Sequence, residues 1–323
     1  MDILISEELD APSVRRLGDK YKVVSDALLW KDPARLKQAI AGARTVMVRN
    51  QTQLTADVLA AAPNLIGIGR VGVGLDNIDM SAANKQGIVV IVPLDANATS
   101  VAELAFGFIL TLARKIPKAD RSTKSGGWDR KNCTGMELNG KIVAICGFGR
   151  IGRKVATFAR AFGMRAIAYD PFVKQDSPSL AETGATLATT LDEALAVADF
   201  ISVHSPLTPE TKHMFNRDLF ARVKPGAFLI NTSRGGVVDE SALVEALRSG
   251  QLGGAALDVR EKEPPVIADL ERMDNVILAP HVAAFTLEAQ TRTYEAVASD
   301  IDRLLSGDPA KNFVNRPRPE TRG

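Results

Sequence analysis

The chain has three histidines, His204, His213 and His281. His281 lies in "ILAPHVAAF", among apolar residues and directly after Pro280. A histidine in such a setting is ordinarily a satisfied core residue. Its reference pKa of about 6.5 nevertheless suits a side chain that takes and returns a proton near neutral pH. Two further stretches hold candidate co-workers. "INTSRGGVVDE" puts Arg234 after an apolar run and before two glycines. A guanidinium fork there could meet a carboxylate or carbonyl; a surface arginine in a turn is the plainer reading. "ALDVREKEPP" puts Asp258 and Glu263 after the next run, with a solvated charged loop as the alternative. A base, a carboxylate that orients it and an arginine suit one chemistry in particular. They would take the hydroxyl proton of a 2-hydroxy acid while its carbinol carbon loses a hydride.

What must position these residues is legible in the hydrophobic pattern. The strand candidates are "ILIS", "YKVVS", "TVMVRN", "LIGIGRV" and "IVVIVP" in the first third, then "KIVAICG", "RAIAYD", "DFISVH", "AFLINTS", "GAALDV" and "NVILAP". They are almost continuously apolar, as strands buried on both faces of a parallel sheet are. Helical stretches alternate with them, capped by Asp32 before Pro33 and by Thr55. Two βα series imply an α/β chain of two doubly wound parallel-sheet domains with a cleft between them. Parallel sheets present ligand sites at the carboxyl ends of their strands. Arg234, Asp258 with Glu263, and His281 all stand at such ends on consecutive strands, which favours a site over the plainer readings. Between the series, "SVAELAFGFILTLARKIP" reads as one helix opened by a Ser100–Glu103 capping box. Its stripe of Val101, Leu104, Ala105, Phe108 and Leu112 suits a domain link or an interface. A last helix is expected from Leu287 to Leu305, and the tail "RPRPETRG" is expected to be mobile.

The second series opens with a glycine loop. Gly147-Phe148-Gly149-Arg150-Ile151-Gly152 gives GxGxxG after the strand "KIVAIC" and at the start of a helix with Val155, Phe158, Ala159 and Phe162 on one face. The next strand ends in Asp170, in a unit of roughly 30 residues, the context a dinucleotide fingerprint needs. Gly147 would allow the tight turn, Gly149 the approach of a pyrophosphate and Gly152 close packing, with the helix N-terminus facing the anion. Asp170 could accept both ribose hydroxyls and would repel a 2′-phosphate. The expected cofactor is therefore NAD rather than NADP.

The totals exclude several classes. With 323 residues, 46% hydrophobic and 24% charged, the chain is of globular composition and long enough for about two domains. A net charge of +2 argues against a nucleic-acid or membrane surface. No apolar run reaches 18 residues, no signal peptide is evident, and Cys133 and Cys146 are expected as free thiols in a cytoplasmic protein. No metal is expected.

The blocks "GRVGVGLDNID", "NATSVAE", "LNGKIVAICGFGRIGRKVA", "VHSPLTPET", "NTSRGGVVDE", "GAALDV" with "EP" behind it, and "PHVAAFT" follow one another in order along almost the whole chain. In these the sequence resembles the D-isomer-specific 2-hydroxyacid dehydrogenase family, and most closely its D-3-phosphoglycerate dehydrogenase branch. The resemblance implies a catalytic set matched here by Arg234, Glu263 and His281. It implies Asp258 at the nicotinamide carboxamide, Thr232 and Ser233 lining the nicotinamide pocket, and His204, Ser205 and Pro206 among the cofactor contacts. The main chain at Val73 and Gly74 would bind the substrate carboxylate, with Asn97 at the cleft edge. It further implies a flavodoxin-like substrate domain of residues 1–97 plus 287–323, a Rossmann domain of residues 98–286 inserted within it, and a homodimer through the Rossmann domain.

Three features depart from the family's pattern. "VPLDANA" differs from the usual loop before the capped helix, Phe285 stands where a small polar residue is common, and Arg260 replaces an aromatic. A chain that stops at residue 323 is not expected to carry the allosteric control of longer relatives. Arg49, Arg70, Arg130 and Lys131 are candidate cations for a dianionic acid, with plain surface charge as the alternative for each. If Arg49 and Arg70 converge, 3-phosphoglycerate is the first choice; hydroxypyruvate, glyoxylate or another 2-keto acid is the second. A different class, NAD-sensing corepressor-like proteins, keeps the same fold and the same residues.

Overall fold

The computed structural model describes residues 1–315; the "RPRPETRG" tail lies outside them. In chain order the first elements are β1 (Ile3–Ile5), α1 (Pro12–Leu17), β2 (Val23–Ser25), α2 (Pro33–Ile40), β3 (Thr45–Val48), α3 (Ala56–Ala60), β4 (Gly67–Arg70), α4 (Met80–Lys85) and β5 (Val89–Ile91). Then follow α5 (Ala98–Arg114), α6 (Ile116–Lys124), β6 (Ile142–Cys146), α7 (Arg150–Ala161), β7 (Arg165–Tyr169), α8 (Pro178–Thr183), β8 (Thr186–Leu187), α9 (Leu191–Leu195), β9 (Phe200–Val203) and α10 (Arg217–Phe220). The chain closes with β10 (Ala227–Asn231), α11 (Glu240–Arg248), β11 (Leu252–Leu257), β12 (Val276–Leu278) and α12 (Leu287–Leu305). Residues 1–97 with the chain from Phe285 onward form one compact unit, and Ala98–Ala284 the other.

The first unit is a five-stranded sheet of order β2-β1-β3-β4-β5, parallel throughout. Alternation along the strands loads both faces. Ile3, Ile5, Met47 and Ile91 meet Val297 and Ile301 of α12, while Leu4, Val46, Val48 and Ile68 meet Leu36, Val58 and Leu59 of α2 and α3. Asp32 caps α2 by accepting from Ala34 and Arg35 N–H, and Thr55 caps α3 by accepting from Val58 N–H, as the sequence predicts. After α12, Asn312–Asn315 runs beside β5: Val92 N–H donates to Asn312 O at 2.6 Å and Val90 N–H to Asn315 Oδ1 at 2.7 Å.

The second unit is a seven-stranded parallel sheet of order β12-β11-β10-β9-β6-β7-β8. The order reverses between β6 and β9, the switch point at which such sheets bind ligands. Val143 and Ile145 face α5 and α7; Ala144 and Cys146 face the helices on the other side.

Local signals mislead at three places. The Ser100–Glu103 capping box does not form, because α5 begins at Ala98 and Ser100 is buried in its first turn. Burial of Ala98, Val101 and Ala102 there outweighs the local cap preference. The helix also does not run through the whole stretch to Pro117: it ends at Arg114, Lys115 is left-handed (φ 52°), and α6 follows as a separate helix with no buried residue. Phe162 lies past the end of α7 rather than on its buried face, half exposed, with its ring 4.8 Å from that of Phe106.

Replacing Ile301 by Ala should cost about 2–5 kcal/mol, because the side chain is fully buried between α12 and β4. Hydrogen exchange at β4 amides reads this directly, and unchanged protection there would contradict the packing described.

Candidate active site

Arg234, Asp258 and His281 follow β10, β11 and β12, adjacent strands of one sheet, so their loops leave the same edge. Each loop is built by its own main-chain demands. After β10 the Asn231 side chain makes the turn: Oδ1 accepts from Ser233 N–H at 3.0 Å and from Ser233 Oγ at 2.7 Å, and Nδ2 donates to Arg234 O at 3.0 Å. This is an Asx turn. Arg234 Nη1 donates to Ser233 O at 2.8 Å.

After β12 the chain takes an unusual conformation. His281 is left-handed (φ 57°), which costs a non-glycine residue energy unless its surroundings hold it there. Asp258 holds it. Its carbonyl accepts from His281 N–H at 2.8 Å, and its two carboxylate oxygens accept from Val282 and Ala283 N–H, each at 2.8 Å. Asp258 is 1% exposed, and burial pushes its carboxyl above the usual range against the pull of those hydrogen bonds. The sequence offered Asp258 only as a cofactor contact. Its grip on the histidine segment is a second task that spacing alone does not reveal.

Glu263 and His281 meet. His281 Nδ1 lies 2.7 Å from Glu263 Oε2, and Glu263 Oε1 accepts from Arg260 N–H at 3.0 Å. The hydrogen bond that the ring donates to Glu263 raises the imidazole pKa, and the nearby charges of Glu263 and Asp258 add to it; burial and Arg234 oppose. For Glu263, burial pushes upward. The His281 hydrogen bond, the Arg260 N–H and the charges of His281 and Arg234 outweigh it, and the net shift is downward. A carboxylate kept ionised can only accept, so the proton of neutral His281 sits on Nδ1 and Nε2 becomes the acceptor. The imidazole's contribution to stability is present below its ordinary pKa and fades as pH rises through the raised one. That of Glu263 is present above its ordinary pKa and fades as pH falls through the lowered one. The pair's contribution is therefore full between the two ordinary values and fades outward through the folded-state ones, though both side chains are partly exposed and the gain is small.

The glycine loop lies at the switch point. Gly147 is left-handed (φ 99°), and a Cβ on Gly152 would fall 2.2 Å from Gly147 O, so only glycine lets α7 start this close to the turn. A Cβ on Gly149 would meet nothing within 4 Å, and no side chain caps α7, whose first N–H groups are available to an anion. Asp170 stitches the loop to β7: Oδ2 accepts from Phe148 N–H at 2.8 Å and Oδ1 from Phe172 N–H at 2.9 Å. Each oxygen keeps a lone pair for a ribose hydroxyl. Arg153 Nε donates to Phe148 O at 3.1 Å, while Arg150 and Ile151 open the helix. Just past β9 and β10 two buried polar atoms lack a partner among the described residues, His204 Nδ1 and Thr232 Oγ1. His204 Nε2 is paired with Ser202 Oγ at 2.8 Å, and burial pushes the ring down to about 4, so it is neutral. Ser205 Oγ donates to Cys146 O at 3.2 Å, and Pro206 is exposed beyond it. Unspent polar atoms beside an uncapped helix start fit a dinucleotide.

In the first unit the candidate cations part company. Arg70 is buried, and its Nε and Nη1 donate to Gly74 O at 2.8 Å and Val71 O at 2.7 Å. It braces the loop that carries Val73 and Gly74. The Arg49 guanidinium lies 4.4 Å from the centroid of the Phe285 ring. The main chain around Arg49 is held by buried Glu7, whose carboxylate accepts from Arg49, Gln51 and Thr52 N–H at 2.8, 3.2 and 3.0 Å. Sequence reasoning missed Glu7, which has no motif around it. Asn97 is buried just before α5. Arg130 and Lys131 are both exposed. In the loop "REKE" Arg260 is buried between Glu240 and Glu271, while Glu261, Lys262 and Glu263 are exposed as the charges imply.

The chain belongs to the D-isomer specific 2-hydroxyacid dehydrogenase family: residues 106–283 match that family's NAD binding domain. It is 43% identical over 98% of its length to D-3-phosphoglycerate dehydrogenase of Methanocaldococcus jannaschii, covering 59% of that protein. It thus spans about three fifths of the curated relatives it matches. Among solved structures it is similar to D-lactate dehydrogenase from Aquifex aeolicus, complexed with NAD and lactic acid (TM-score 0.87, 32% identity, 97% of this chain and 99% of that one). A glyoxylate reductase from a Paecilomyces species is similar too (TM-score 0.90, 27% identity, 98% and 99%). Among the described residues no helix is long and apolar enough to cross a membrane.

A Gly152→Ala chain should lose about 1–3 kcal/mol of stability, since backbone atoms must move to admit the methyl group. Its NAD affinity, read by fluorescence titration, should fall with it. Wild-type affinity and melting together would show the close approach to be unimportant.

Proposed function

We propose that the chain is an NAD-dependent D-2-hydroxyacid dehydrogenase whose acid carries a phosphate, D-3-phosphoglycerate first. The observation that carries the dehydrogenase reading is the His281–Glu263 pair, with Arg234 close enough for its charge to act on both. The phosphate is supported by the 43% identity to D-3-phosphoglycerate dehydrogenase, since Arg49 and Arg70 do not converge. His281 Nε2 takes the substrate hydroxyl proton. Glu263 holds the ring by Nδ1–H and stabilises the imidazolium that forms. Arg234 binds the substrate carboxylate and, in the reverse direction, polarises the keto oxygen. When bound, NAD accepts the hydride that leaves the carbinol carbon. Gly147, Gly149 and Gly152 with Asp170 hold the dinucleotide, and Thr232, Ser233, His204 and Asp258 line its nicotinamide end. In the first unit, the main chain of Val73 and Gly74, with Arg49 and Asn97, binds the acid, and Arg70 acts by bracing the loop. The reading includes a cytoplasmic homodimer formed through the NAD-binding domain and α5.

One observation favours a second substrate. Phe285 covers a face of Arg49, which suits a small 2-keto acid without phosphate, such as glyoxylate or hydroxypyruvate. NADH turnover against a panel of 2-keto acids separates the two. Phosphohydroxypyruvate fastest supports the first; glyoxylate fastest ends it. No turnover with any acid would return the chain to the NAD-sensing class.

Replacing His281 by Ala should lower kcat by about 10²–10⁴-fold with NAD binding near normal. An unchanged rate removes histidine from proton transfer. The pH profile follows from the shifts. Oxidation needs neutral His281 and so fails on the acid side, at an inflection above the ordinary histidine value. Glu263→Gln removes the charge that raises it, and the acid limb should move to lower pH. An inflection that stays put, or rises, would show that another group titrates.

A further inference from the structure

Arg260 is a charged side chain in a nearly dry place. It is 8% exposed, against 21% for Glu240 and 17% for Glu271. Its Nε and Nη2 donate to the two carboxylate oxygens of Glu240 at 2.9 and 2.8 Å, and Nη1 donates to Glu271. The carboxylates are themselves anchored: Glu240 Oε1 also accepts from Glu261 N–H at 2.8 Å, and Glu271 Oε2 from Ala268 N–H at 2.9 Å. The fork therefore ties the loop after β11 to the first residue of α11 and to the turn that holds Glu271.

The main chain of the same residue reaches the active site on two sides. Arg260 N–H donates to Glu263 Oε1, while Oε2 of that carboxylate holds His281. On the other side, a Cβ on Gly235 would fall 1.9 Å from Arg260 O, so the turn that carries Arg234 lies directly on the Arg260 backbone. Taking a guanidinium and two carboxylates out of water is a poor source of stability, and apolar packing often serves as well. What a planar, bidentate fork adds is direction.

We propose that Arg260 is a positioning residue: its fork, locked by Glu240 and Glu271, sets the loop so that its N–H orients Glu263, and through Glu263 the His281 ring. This rests on the reading of His281 as the proton carrier. The charged groups that face the pair are Asp258 and Arg234, and neither contacts the Arg260 fork in the hydrogen bonds described.

The test compares the full wild-type chain with Arg260→Lys, which keeps the charge but loses the fork, and with Glu240→Gln, which keeps the shape and leaves Glu271 paired. Two quantities are read: the imidazole titration of His281 by ¹⁵N NMR without cofactor, and kcat against pH with NAD. In both variants the His281 titration should move to lower pH. For Arg260→Lys, kcat should fall on the order of 10- to 100-fold, as for other small misplacements of a reacting group. A folded Arg260→Lys chain with wild-type titration and rate overturns the proposal, as does an unmoved titration in Glu240→Gln. A wild-type chain that turns over no 2-hydroxy acid would instead count against the dehydrogenase reading, and the NMR shift alone would still decide the positioning role.

Discussion

The hydrogen bond between His281 Nδ1 and Glu263 Oε2 decides which imidazole nitrogen is left to exchange a proton. Everything around it serves to keep it. Asp258 grips the main chain on either side of His281 and holds it in a left-handed conformation. Arg260 N–H fixes the other oxygen of Glu263. Arg234 adds a positive field that lowers both groups, so that Glu263 stays ionised while His281 is kept from rising too far. In physical terms the site is a set of short loops on adjacent parallel strands, each locked by a buried carboxylate or amide.

The same device recurs away from the histidine. Asp170 accepts from the glycine loop and from the residue after next, Asn231 builds the turn before Arg234, and Glu7 gathers three N–H groups of the loop that carries Arg49. In each case a polar side chain at a strand end satisfies main-chain donors that the sheet leaves over. The loops are thereby rigid before any ligand arrives, which spares binding the entropy of ordering them.

Much of this architecture was legible in the sequence, and for a definite reason. Strands buried on both faces must be apolar almost without interruption, so β6, β9, β10 and β11 stand out, and with them the positions just beyond their ends. The glycine loop was legible because its constraints are steric and local. What escaped notice depends on contacts distant in sequence. Glu7 looks like an ordinary surface charge and Arg260 stands out only as a departure from the family's pattern; only folding brings Glu7 beside Thr52 or Arg260 between Glu240 and Glu271. Ser100 misled because a local cap signal competes with burial, and burial won. Arg70 and Arg49 look alike as candidate cations, yet one is spent on main-chain carbonyls and the other is stacked on a ring.

The most direct test of this account is the protonation of His281 itself. Selective ¹⁵N labelling of histidine and a pH titration of the unmodified chain read both the pKa and the tautomer. The account predicts a titration above the ordinary histidine value and, above it, a neutral ring with its proton on Nδ1. A ring that titrates at or below the ordinary value, or that carries its neutral proton on Nε2, would contradict it.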